Sequence, residues 1–110
     1  GEERFVIVEP SSKTGASFLR CGWKHTHPDE PILLYSELDA DRRETRKVEV
    51  FRDGTCGWAD ASEEVGGTRL GAVPVPPIEE IAQDAEFSPA LITREEFEEV
   101  WAKRRERRRA

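Results

Sequence analysis

Arg46-Lys-Val-Glu-Val-Phe-Arg-Asp-Gly-Thr-Cys-Gly-Trp58 decides the fold. Val48 and Val50 alternate with Lys47, Glu49 and Phe51, which gives residues 44–52 the two-residue period of a strand. Asp53-Gly54 follows as a strong short-range hairpin signal and predicts a type I′ turn. Residues 55–59 return along the first strand, with Cys56 and Trp58 on one side. Upstream, residues 32–38 alternate Ile32, Leu34 and Leu38 against Leu33, Tyr35 and Glu37, and Asp39-Ala-Asp-Arg42 forms a polar turn. Further out, residues 18–25 place Leu19, Cys21, Trp23 and His25 on one face, and His27-Pro-Asp-Glu-Pro31 ends that strand. Four strands joined by short turns can pair only antiparallel, because parallel neighbours need crossovers of about a dozen residues or more.

The C-terminal third is helical at two places. Pro77 opens a short helix over residues 78–83. Thr93 and Glu96 form a capping box for a longer helix whose apolar stripe is Phe97, Val100 and Trp101. Residues 60–77 and 84–91 read as irregular and turn-rich. The expected fold is α+β: a four-stranded antiparallel β-meander with a short helix and a longer C-terminal helix packed on one face. The expected core face joins Leu19, Cys21 and Trp23, Ile32, Leu34 and Leu38, Val48 and Val50, and Cys56 and Trp58, with Trp101 packed against Trp23 or Trp58. Residues 1–17 form an N-terminal appendage with a short strand at 5–8, residues 18–101 the domain, and residues 102–110 a basic helix end or tail.

Trp23-Lys-His25, Pro28-Asp-Glu-Pro31, Leu34-Tyr-Ser-Glu-Leu38, Arg46 to Gly54, Gly67-Thr-Arg-Leu-Gly71 and Glu95-Glu-Phe-Glu-Glu-Val-Trp101 occur in this order. Together they resemble a family of small bacterial, largely actinobacterial, proteins carried as a domain of unknown function. The resemblance spans residues 18–101 and implies no activity, cofactor or ligand.

A chain of 110 residues fits one domain. Its net charge is −6, yet residues 102–110 carry +5, leaving −11 on the rest. An acidic body repels nucleic acid, so contact with nucleic acid is expected only through residues 102–110. No apolar run approaches the roughly 20 residues of a membrane helix, and Phe5-Val-Ile-Val8 lacks the length of a signal peptide. A cytoplasmic protein without membrane contact is expected. Cys21 and Cys56 are too few for a disulfide scaffold and lack zinc-site spacing, so free thiols, no metal and no cofactor are expected.

Three groups of side chains carry the functional readings. His25, His27, Asp29 and Glu30 cluster in sequence and could serve a small ligand- or metal-binding site or an enzyme, with Arg46 or Arg69 gripping an anion. Lys24, Tyr35, Glu37, Lys47 and Glu49 are expected on the outer sheet face, where Tyr35 among mixed charges suits a partner protein. Ordinary cross-strand charge pairing explains the same residues. Gly66-Gly-Thr-Arg-Leu-Gly71 lacks the spacing and the Lys-Ser/Thr ending of a phosphate loop. No nucleophile–base arrangement is visible. The leading expectation is a non-enzymatic protein-interaction domain, in one version an immunity-like protein that binds a basic partner.

Overall fold

The computed structural model describes residues 15–110. The strand expected at residues 5–8 and the connector up to residue 14 lie outside the described residues. Six strands are present: β1 Ser17–Trp23, β2 Leu33–Leu38, β3 Glu44–Val50, β4 Cys56–Ala59, β5 Glu64–Val65 and β6 Phe87–Leu91. They form one antiparallel sheet in the order β5-β4-β3-β2-β1-β6. The expected meander is its centre, and each edge gains one strand. Helix α1 is Ile78–Ile81, α2 is Arg94–Lys103, and a 3-10 turn, Arg104–Arg107, continues α2. The capping box is realised in both directions: Glu96 N–H donates to Thr93 Oγ1, and Thr93 N–H donates to Glu96 Oε1.

The register corrects the expected core face. Residues paired across an antiparallel ladder point the same way. Tyr35 lies opposite Val48 and Leu33 opposite Val50, while Leu34 lies opposite Glu49. Leu19 and Cys21 of β1 and Leu34 of β2 therefore share a face with Lys47 and Glu49, not with Val48 and Trp58. A shift of one residue moves a whole strand's pattern to the other side, and alternation within a strand cannot fix that choice. Both faces are covered here, so both strand patterns find a core.

On one side, the helix face, Phe97 of α2 meets Phe18 with ring centroids 5.5 Å apart, and Val100 and Trp101 pack on the buried Val48, Trp58 and Val65. Trp101 thus belongs with Trp58. Trp23 instead makes tilted ring contacts with His25 and Phe87 at the far end of β1. On the other side, residues 66–86 run as a strap from the β5 edge to the β6 edge. Thr68 Oγ1 donates to Glu49 and Gly71 N–H donates to Glu44. The expected packing of both helices on one face is not seen, because α1 ends the strap and lies against β6.

Two turns use one geometry. Phe51 N–H donates to Thr55 O and Gly54 N–H to Phe51 O; Asp39 N–H donates to Arg43 O and Arg42 N–H to Asp39 O. Gly54 and Arg42 have φ of 87° and 63°, and Asp53 has no positive φ. The Asp53-Gly54 hairpin is thus a three-residue loop with a left-handed final residue, not the expected type I′ turn. Arg42 takes this position without being glycine, which is strained. Its side chain offsets the strain by pinning the strap, donating from Nε to Val75 O and from Nη2 to Pro76 O, each at 2.7 Å.

Strand β6 contains Pro89 and fell within the stretch expected to be irregular. The bonds from Ile92 N–H to Phe18 O and from Lys24 N–H to Glu86 O set the ladder's parity, so residues 88 and 90 bond inward to β1. The position of Pro89 faces out, where a missing N–H costs nothing and blunts the edge against foreign strands.

Gly57 is the closest approach between sheet and strap. A Cβ there would run into Thr68 Oγ1 and stand 2.9 Å from Val65 O. Gly57→Ala is expected to destabilise the fold by about 2 kcal/mol, through overpacking and loss of the Thr68–Glu49 bond. A urea midpoint equal to the wild type's would refute this contact.

Candidate functional site

His25 spends both ring nitrogens on the backbone. His27 N–H donates to Nδ1 at 2.9 Å, so Nε2 carries the proton and donates to Pro31 O at 2.8 Å. The His27 ring stacks on it at 5.3 Å, and Asp29 and Glu30 are exposed in the following turn. The four residues thus build a loop end and do not converge on one point. Among the described residues no group of three or more His, Cys, Asp or Glu side chains could hold a metal ion. Lys24 is exposed beside β6, and Arg69 is exposed and pairs with Glu64 at 3.7 Å.

The residues expected together on an outer face divide between two covered faces. Glu37 and Arg46 lie under α2. Arg46 Nε and Nη2 each donate to Glu37 at 2.8 Å, and Nη1 and Nη2 donate to Glu98 of α2 at 3.1 and 2.6 Å. The guanidinium also lies over the Phe97 and Trp101 rings. The Arg46 hydrogen bonds hold the Glu37 and Glu98 carboxyls below the usual carboxylate range, and the two carboxylates push Arg46 up. Lys47 and Glu49 lie under the strap, where Lys47 Nζ stands 3.5 Å from Glu44 and 3.9 Å from Glu49. These charges fasten α2 and the strap to the sheet and leave Arg46 no face for an anion.

Tyr35 is different. It lies on the helix face, opposite Val48, where α2 has already crossed the sheet. Here a groove of about 430 Å³ opens beside the end of α2. Leu33, Tyr35, Val50 and Cys56 form its floor and Val100 its wall. Lys103, Arg104, Glu106 and Arg107 form its rim. Burial pushes the Cys56 thiol up, so the floor stays uncharged at neutral pH. The Tyr35 hydroxyl makes no hydrogen bond among the described residues.

The rim exists because the basic segment folds back. Arg109 N–H donates to Cys56 O, Arg108 bridges to Cys56, and the Arg109 guanidinium sits 3.7 Å from the Phe51 ring centroid. Arg105 pairs with Glu63 at 3.0 Å and lies over Trp58. The residues expected to form a basic helix end or tail thus close one end of the helix face.

Residues 17–106 match the family described as a domain of unknown function, DUF6881. The chain belongs to this family. No curated protein and no solved structure matches it. The DUF6881 span runs from β1 into the 3-10 turn, so it includes the floor of the groove and Arg104 on its rim.

Arg104, legible in the sequence only as part of the basic segment 102–110, stands on this rim. Its guanidinium lies 3.8 Å from the Trp101 ring centroid, and Nη1 donates to Trp101 O. Its Nε is sealed from solvent without an acceptor, and no carboxylate lies within ion-pair distance among the described residues. Burial, helped by the neighbouring Arg105, pushes its pKa down from the ordinary arginine value. Tyr35 was legible as an anchor candidate; Val50, Cys56 and Val100 were legible only as core, and Leu33 only as a strand residue. The gap between α2 and the strand ends, which exposes them, depends on where the helix stops.

Proposed function

We propose that this DUF6881 domain is a non-enzymatic module that binds a partner protein through the groove at Tyr35. The observation that carries the proposal is the unpartnered Tyr35 hydroxyl standing on an apolar floor beside the end of α2. An apolar centre with an aromatic anchor and a polar rim is the usual anatomy of a protein-binding patch. The alternative at His25, His27, Asp29 and Glu30 has less support, since His25 uses both nitrogens locally. The cationic rim favours an acidic partner segment at this groove over the basic partner that the net charge suggests.

The test is retention of partners from a native lysate by immobilised wild-type and Tyr35→Ser protein, with melting temperature as the check on folding. Loss of about tenfold or more of a retained partner is expected for an anchor residue. Equal retention by a folded Tyr35→Ser protein would refute the proposal. Glu37 and Glu49 are unsuitable for this experiment because both hold the fold together.

A further inference from the structure

The groove carries information about its occupant. Arg20 of β1 stands directly across from Tyr35 on the same face, is exposed, and has no carboxylate partner among the described residues. Arg104 and Arg107 stand on the opposite side of the floor and also lack one. Apolar surface is therefore flanked on two sides by uncompensated guanidinium groups, in a chain whose net charge is −6. Three cations elsewhere on the covered faces are neutralised: Arg46 has Glu37 and Glu98, Arg105 has Glu63, and Lys47 has Glu44 and Glu49, whereas Arg94 over the Phe18 ring has no ion pair among the described residues. Glu106 is the single acid on the rim among the described residues, and Lys103 already pairs with Glu99.

We propose that the groove takes an extended acid–apolar–acid segment of a partner polypeptide. One aliphatic or aromatic side chain sits on Leu33, Tyr35 and Val50, one carboxylate meets Arg20, and the other meets Arg104 and Arg107. This rests on the binding role proposed for the groove and adds the chemistry of the occupant. A half-buried guanidinium without a counter-ion is unfavourable in the free protein, and an incoming carboxylate relieves it. The groove is open along its length, which suits a peptide rather than a small ligand that needs most of its surface enclosed.

The probes are three synthetic hexapeptides with one central Trp-Leu pair, flanked by Glu and Asp, by Gln and Asn, or by Lys. Binding to the full chain is followed by the amide NMR shifts of Leu33, Tyr35 and Val50. The acidic peptide is expected to shift these amides, to weaken steeply with salt, and to lose about tenfold in affinity in the Arg20→Gln/Arg107→Gln protein. Neither substituted side chain makes a hydrogen bond or ion pair among the described residues, and the melting temperature of the variant checks that it is folded. Equal binding of the neutral peptide, unchanged in the variant, would overturn the acid preference while leaving the groove as a binding site. Preference for the Lys peptide would overturn it as well. If no peptide shifts the groove amides, both this inference and the binding role fall.

Discussion

Trp58→Ala is expected to lower the unfolding free energy by about 4 kcal/mol, read as a drop in the urea midpoint at unchanged slope. Trp58 is fully buried, with 0% exposure, and packs with Val48 and Val65 at the centre of the helix face. Its Nε1–H donates to Glu63 at 3.0 Å, and the guanidinium groups of Arg104 and Arg105 lie over its ring. Alanine leaves a cavity bounded by two β-strands and α2, none of which can collapse without breaking the ladder. Trp101→Ala should cost less, because Trp101 is only half-buried and its outer side is covered by the Arg104 guanidinium rather than by the apolar core. If the two substitutions cost the same, the core is centred on α2 rather than on β4, and the helix face is misdescribed.

How far the sequence foretold this can be judged element by element. The central strands and the capped helix were legible because each is specified locally, by a two-residue alternation or by the Thr93–Glu96 pair. Strand β5 was not, since two residues carry no period. Strand β6 was not, since it is specified by its long-range ladder with β1 and it contains Pro89. The mixed core face has a similar origin. The alternation in β2 is clear, but both of its phases are partly apolar, with Leu34 and Leu38 on one side and Leu33 and Tyr35 on the other. Only the pairing of Tyr35 with Val48 decides which phase meets α2. The candidate site suffered most from this. Tyr35 was singled out by its chemistry and keeps its place in the proposed site, whereas the charges grouped with it serve two separate covers. The arginines that do flank it come from β1 and from the segment after α2, more than 60 residues apart in the chain.

Arg46→Met is the second large effect, and its dependence on pH separates it from ordinary loss of packing. Methionine keeps the stem over Phe97 and Trp101 and removes only the charge. Glu37 then remains under α2, 15% exposed, without a partner. Breaking such a pair costs about 3 kcal/mol, toward the lower end for buried pairs because Glu98 is 44% exposed and screened. Glu37 and Glu98 both have lowered pKa values in the folded protein. A lowered folded value means that the unfolded chain binds protons first as the pH falls. The stabilisation is therefore complete above the ordinary glutamate value of 4.5 and is lost as the pH drops through the lower folded values. Wild type should lose stability steeply below about pH 4.5, and Arg46→Met should lose less over the same range. Adding Glu37→Gln to Arg46→Met should restore part of the loss at pH 7, since it removes the stranded charge. Parallel pH profiles for wild type and Arg46→Met would show that the guanidinium does not fasten α2 to the sheet. The position of α2, and with it the groove at its end, would then need another cause.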